Sequence, residues 1–406
     1  MPFTVLVPRY GGQTVAKKRE FPPNRGGELR HKDLLSIVEH FEDLPDPRRD
    51  DPNKKHKLID IIVLSLCGVL CGCEAFTEIE DFGKHKEDFF RKFLELPNGI
   101  PSHDTFGRVF QLLDPKAFEQ CCLAWVRSLR EDFKDTSIGI DGKTLRRSFD
   151  RAGDLRPLHV LSVWCAEHSL ILGQTAVDVK GNEINALPET IEKLNVEGAT
   201  VSIDAAGCQR AIATVIREKK ADYVLALKGN QGHLNDDVRS FFESCVANDF
   251  DGVAHAFHET HDQRHGRREH RRYYVAEVPS GIRNASLWRD LQTLCMVKSK
   301  VTQGGKTTSE ARYYISSLPC DVRRMARSIR SHWSVENNLH WVLDVVFRED
   351  DSRIRKGHAA ENMAMLRRLT LSLLNQDKSK GSLKGKRKRA GWDNDFLLQV
   401  LTTRCD

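Results

Sequence analysis

From Lys32 onward apolar residues recur at three- and four-residue spacing, with Leu34, Leu35, Val38 and Phe41 on one face until Pro45 and Pro47 end the run. The same periodicity predicts helices over 58–72, 74–94 and 103–113, the last introduced by Pro101 and by Ser102 as an N-cap. Residues 1–30 are rich in Gly, Pro, Lys and Arg, lack any period, and read as a mobile basic arm. Residues 31–130 read as a helical N-terminal domain. Within it, 102–113 is either a recognition helix or a helix whose Phe106, Val109 and Phe110 simply pack inward.

Beyond Asp135 the pattern shortens to strand-like runs at Ser137–Asp141, Leu158–Cys165, Leu170–Val179, Thr200–Asp204 and Tyr223–Leu227. Helical stretches at Ala186–Leu194 and Gln209–Lys219 separate the later ones. A β-β-β-α-β-α-β order predicts a meander followed by two crossovers, hence a mixed α/β sheet. Residues 235–318, with charged strands at Arg272–Val278, Thr293–Val301 and Arg312–Ser317, read as a β-rich insertion. Helices return at Val322–Phe347 and Ala359–Asn375, closing a domain over 135–375 and leaving 376–406 as a basic tail.

Composition narrows the class. The 406 residues carry 63 Lys+Arg against 57 Asp+Glu and are 40% hydrophobic, which excludes collagenous and largely disordered chains. The longest apolar stretch, Leu58–Cys73, contains Asp60 and is shorter than the roughly 20 residues a membrane span needs. Eleven scattered cysteines, an odd number, suit buried thiols in a reducing cytoplasm rather than disulfides or a zinc site. The net charge of +6 is concentrated, since Lys378–Arg389 holds seven basic residues and no acid.

Two strands end alike, Ile138-Gly139-Ile140-Asp141-Gly142 and Val201-Ser202-Ile203-Asp204-Ala205, each delivering an aspartate beside a small residue. If the strands are neighbours, the two carboxylates converge and require a cation. A third acid, Glu336, falls within about 60° of Ile329, Trp333, His340 and Leu343 on a helical projection, and so on the packed stripe. There it either coordinates a metal or pairs with a cation such as Arg330. Three hard oxygen ligands suit Mg²⁺, with Mn²⁺ as a substitute, and predict phosphoryl transfer on nucleic acid. Nucleophile-elbow, dinucleotide and phosphate-loop motifs are absent from the sequence.

Basic and amide residues surround these acids: Lys143, Arg146 and Arg147 after the first strand, Lys180 and Asn182 after the third, Lys228, Asn230 and Gln231 after the fifth. The insertion adds Arg267, Arg268 and Arg271. Arg330 and His332 precede the glutamate, and Lys386 and Arg387 lie in the basic tract. All are candidate DNA contacts. Trp288 and Trp341 are core residues or platforms for an unpaired base.

Taken in order, Asp46-Pro47-Arg48, Gly99-Ile100-Pro101-Ser102-His103-Asp104-Thr105-Phe106, Ile140-Asp141-Gly142-Lys143, Lys180-Gly181-Asn182-Glu183-Ile184, Ile203-Asp204-Ala205, Tyr223 through Lys228, His265-Gly266-Arg267 and His332-Trp333 through His340-Trp341 resemble the H-repeat-associated transposases, a branch of the bacterial DDE insertion-sequence transposases. The resemblance implies a ribonuclease H-like catalytic domain and a metal-bound triad on Asp141, Asp204 and Glu336. It also implies a protein that cuts the ends of its own element and joins them to target DNA, as a homodimer on double-stranded DNA in the cytoplasm, at the nucleoid. Related transposases often place Tyr, Arg and Lys seven before, four before and seven after the glutamate, where this chain has Ile329, His332 and Leu343, so Asp344 and Asp350 stand as reserve candidates. The alternatives are a transposase-derived protein that binds DNA without cutting it, and a host nuclease or resolvase on the same fold.

Overall fold

The computed structural model describes residues 38–50, 54–130, 132–149, 156–177, 182–264 and 266–402. The N-terminal arm, Lys180 and His265 lie outside the described residues. Residues 32–37 of the helix predicted from Lys32 lie outside the described residues; the next, α1 (Leu58–Cys71), is apolar on every side and buried almost throughout, and it stops at Gly72, whose left-handed backbone (φ 112°) lets its N–H bond Val69 O. Its acid, Asp60, accepts from Leu96 N at 3.0 Å, and burial pushes its carboxyl pKa up. The stretch predicted as one helix over 74–94 divides at Lys86 into α2 (Phe76–His85) and α3 (Glu87–Phe90). In α4 (His103–Leu112) the Ser102 side chain caps Thr105 N, while Phe106, Val109 and Phe110 are fully buried. That face is used for packing. α5 (Pro115–Leu129) starts with proline in its first turn behind an Asp114 cap.

The expected mixed α/β core follows: β1 (Ser137–Thr144), β2 (His159–Cys165), β3 (Leu170–Val177), α6 (Glu183–Glu192), β4 (Thr200–Ile203), α7 (Arg210–Glu218) and β5 (Asp222–Leu227). β1 to β3 form an antiparallel meander, and β1, β4 and β5 run parallel, giving the order β3-β2-β1-β4-β5 of a ribonuclease H-like sheet. Next come α8 (His233–Ala247), β6 (His255–Arg264), β7 (Arg267–Glu277), β8 (Thr293–Gln303) and β9 (Lys306–Ser316). The insertion is not a separate body. β9 pairs antiparallel with β5, from Val224↔Ser316 to Leu227↔Tyr313, so one nine-stranded sheet runs from β3 to β6. These strands outrun their predicted lengths, because the outer part of β9, Lys306–Ala311, is exposed along its whole length and offers no inside–outside alternation to read.

α9 (Val322–Ser334) lies across β1 and β4 and continues through a π-helical turn, Val335–His340, into α10 (Trp341–Val345). α11 (Ala359–Gln376), α12 (Leu383–Trp392) and α13 (Asn394–Leu401) complete the chain, and one buried cluster joins α1, α4, α5, the sheet, α11 and α13. The basic stretch is therefore not a free tail. Lys386 and Arg387, read as DNA contacts, are only 8% and 5% exposed. Lys386 Nζ pairs with Asp377 at 3.0 Å, and Arg387 bonds Val69 O at 2.8 Å with its guanidinium 4.2 Å above the Phe347 ring. Their charges cap carbonyls and close the core, whereas Lys378, Lys380, Lys384, Lys388 and Arg389 remain exposed. No single described helix is long and apolar enough to cross a membrane, and all ten described cysteines are free thiols.

Candidate active site

The two aspartate-bearing strands are neighbours. β1 and β4 pair in parallel register from Ser137↔Thr200 to Ile140↔Ile203, so Asp141 and Asp204 occupy matching steps on adjacent inner strands, Asp204 just past the end of β4. Two glycines explain how other groups reach Asp141. A Cβ on Gly139 would stand 2.6 Å from Val335 Cγ2, and one on Gly142 would stand 2.5 Å from His159 Nε2 and 2.9 Å from a Glu183 oxygen. The small neighbours noticed in the sequence thus leave room for the protein's own π-turn on one face, and for a His159–Glu183 pair (2.6 Å) on the other.

Hydroxyls seat α9 close to β1: Ser137 and Ser328 lie 3.2 Å apart, and Ser331 Oγ donates to Ser137 O. The following π-turn changes the helical phase. Consequently the expectation that Glu336 lies on the packed stripe fails: its side chain is 70% exposed, while Val335, Leu339 and His340 are buried. The carboxylate nevertheless faces Asp141 across His340, whose Nδ1 is 3.6 Å from Asp141 Oδ2 and 3.8 Å from Glu336 Oε2. Trp288 is core, but Trp341 and Trp333 stand exposed beside this turn, Trp333 under the Arg312 guanidinium.

The charges are unbalanced at this point. Burial, reinforced by Asp204, Glu336 and Glu183 against the opposing Gly142 N–H bond, pushes the Asp141 carboxyl up to about 7. Asp204 accepts from Ala206 N and Gly207 N at 3.0 and 3.2 Å. Burial, with Arg368 and Lys143 nearby, drives His340 down to about 3, so its ring is neutral at pH 7. Asp141, Glu336 and His340 each offer a donor atom, all within 4.8 Å of one another, and the His340 Nε2 is buried without a hydrogen-bond partner. Such a carboxylate cluster is of the kind that holds a divalent cation.

Lys143, expected to touch phosphate, is buried instead. Its Nζ lies 2.7 Å from Asp344, 2.8 Å from Asp350 and 3.7 Å from Glu349. Burial works to lower its pKa, but Glu349, Asp344 and Asp350 outweigh that and raise it. The two reserve acids are thereby already neutralised by a protein cation. Glu349 also pairs with the equally buried Arg368 at 2.8 Å. Asn230 and Gln231 are likewise engaged, donating to Ala205 O and Cys208 O and fixing the loop behind Asp204. Arg271 is 7% exposed and held by Asp262 and Glu269. His332 is largely buried, and burial lowers its pKa. Lys143, Arg271 and His332 are thus turned inward, whereas Asn230 stays exposed with its amide N–H on Ala205 O. Arg146, Arg147, Asn182, Lys228, Arg267 and Arg268 are exposed, and Arg330 is half-exposed, 3.5 Å from Asp262. The sequence reading missed His340, His159 and Glu183 as site residues, although Glu183 and His340 both fall in motifs it singled out.

A family model described as "Transposase DDE domain" matches residues 133–373, and one described as "DDE_Tnp_1-associated" matches 38–126. The chain belongs to the DDE transposase family, a family of mobile elements. It is 38% identical over 375 residues to the "H repeat-associated putative transposase YhhI" of Escherichia coli K12, covering 91% of this chain and 98% of that one. It is 45% identical over 283 residues to the "Uncharacterized protein in dhlA 3'region" of Xanthobacter autotrophicus, 69% of this chain and 94% of that one. Among solved structures, the piggyBac transposase synaptic complex with hairpin DNA aligns at a TM-score of 0.43 and 11% identity, over 92% of this chain and 77% of that one.

Proposed function

We propose that this protein is an active transposase that hydrolyses the phosphodiester at each end of its own element and joins the freed 3′-hydroxyls to target DNA. What supports this reading is that Asp204, on the neighbouring strand, and Glu336, on the π-turn, both lie beside Asp141, whose carboxyl burial and these acids push up to about 7. Asp141, Asp204 and Glu336 would hold Mg²⁺ or Mn²⁺, with neutral His340 as a neighbouring donor. Once bound, such ions activate the attacking oxygen and stabilise the departing one.

The chain's own residues set up the rest. The Gly139–Val335 contact fixes the distance between the strand acids and the π-turn acid. Lys143 neutralises Asp344 and Asp350, so they do not compete for the same cation. Arg146 and Arg147, exposed beside β1 and paired with Asp350 and Asp351 at 3.1 and 3.5 Å, would take phosphate oxygens. In each step an oxygen nucleophile, water first and the 3′-hydroxyl second, displaces the far oxygen directly, with no bond to the enzyme. Two element ends require two such centres, which favours a homodimer on double-stranded DNA.

The test is cleavage of labelled element-end DNA by purified protein with Mg²⁺ or Mn²⁺. Asp141→Asn, Asp204→Asn and Glu336→Gln should each lose at least about a hundredfold in rate while still binding the DNA. Wild-type protein that binds its ends tightly but leaves them uncut would overturn the proposal in favour of a DNA-holding relative.

A further inference from the structure

β6 and β7 pair in unbroken register, with His261 opposite His270 and Glu259 opposite Arg272. Alternation along a strand puts Glu259 and His261 on one face, and His270 meets them there from the partner strand. The intervening residues point the other way. Asp262 lies 3.5 Å from Arg330 of α9 and holds Arg271. α9 packs on the sheet face that carries Asp141, so the Glu259–His261–His270 cluster sits on the opposite face, with the sheet between it and the acidic centre.

We propose that these three residues form a second metal site, for a borderline transition ion such as Zn²⁺. Glu259 Oε2 is 2.9 Å from His270 Nε2, Glu259 Oε1 is 3.8 Å from His261 Nε2, and the donor atoms of all three lie within 4.8 Å of one another; the imidazoles stack 4.2 Å apart at 11°, so one ring must turn for both nitrogens to face the ion. A tetrahedral ion with bonds of about 2.0–2.1 Å spaces its ligands about 3.3–3.4 Å apart, between those two separations. Two imidazoles and one carboxylate with an open fourth position are a zinc donor set, whereas Mg²⁺ prefers oxygen ligands throughout. Two cations oppose binding: Arg272 Nε is 3.9 Å from Glu259, and Lys300 stands opposite His270 on β8. A bound ion would staple β6, the edge strand of the sheet, to its neighbour.

The experiment uses the full chain, zinc chloride and a large excess of Mg²⁺, read by equilibrium dialysis and thermal unfolding. Wild-type protein and the Asp141→Asn/Glu336→Gln variant should retain the same hairpin-bound zinc and show the same zinc-dependent rise in midpoint. His261→Ala and His270→Ala should lose that rise while keeping the metal-free midpoint. Arg272→Gln should bind zinc more tightly, a gain that loss of a merely structural contact would not give. The proposal is overturned if both histidine variants keep the zinc response, if wild-type protein retains no zinc under Mg²⁺, or if the response vanishes only with Asp141 and Glu336.

Discussion

Replacing Gly139 with alanine tests how the site is assembled. The added Cβ would stand 2.6 Å from Val335 Cγ2, whereas ordinary contacts begin near 3.4 Å, and it would also lie 3.5 Å from His332 Cα. Val335 is fully buried and His332 presents backbone, so neither can swing aside. Relief requires the π-turn to withdraw by roughly 1 Å, taking Glu336 and His340 with it. Overpacking of this kind costs about 1–3 kcal/mol. A 1 Å misplacement of reacting groups costs about a hundredfold in rate. The assays are denaturant unfolding and end cleavage, on Gly139→Ala and on Gly139→Ala/Val335→Ala, where the smaller side chain restores the space. Rate and stability should fall together in the single variant, and the rate should recover in the double. A single variant that cleaves like wild type, or a double variant no faster than the single, would refute the reasoning.

Three further outcomes follow from the charges. With its carboxyl pushed up to about 7, Asp141 keeps a proton in the folded chain that the unfolded chain has released above about pH 4. Metal-free stability should therefore decline between those values by up to about 4 kcal/mol, and an Asp141→Asn variant, compared by thermal unfolding across that range, should lack this part of the decline. Glu349→Ala strands the buried Arg368 and should cost about 3–5 kcal/mol in chemical denaturation, largely recovered in Glu349→Leu/Arg368→Met. Lys386→Gln should lower stability without changing the salt dependence of DNA binding, while Arg268→Gln should leave stability alone and reduce the slope of log K against log salt by about 0.9 if it contacts one phosphate.

The strands of the core were readable because β2 is buried on both faces, and because Asp141 and Asp204 each end an apolar run. The order of elements predicted the meander and the two crossovers but left the adjacency of the aspartate strands as a condition, which the β1–β4 register meets. What escaped was set by geometry the pattern does not encode. A straight helical wheel cannot anticipate a π-turn, so Glu336 was expected inside and Trp341 most naturally in the core. Charge counting treats every lysine alike, yet Lys143 and Lys386 are enclosed by carboxylates and carbonyls, while Lys228 is in solvent. The join between β9 and β5 was invisible because strand partners far apart in sequence leave no local signal.

That join also bears on how the chain is made. β5 ends at Leu227, whose partner in β9 is Tyr313, 86 residues later. At ribosomal rates of about 5–20 residues per second, β5 waits roughly 4–17 s as an open strand edge before it can be paired. The glutamate follows later still, beyond β9. A nascent or truncated chain that stops inside the hairpins presents both aspartates, yet lacks the residue that would complete the centre. Assembly order follows from this: Glu336 can meet Asp141 only after the whole of β9 has been made.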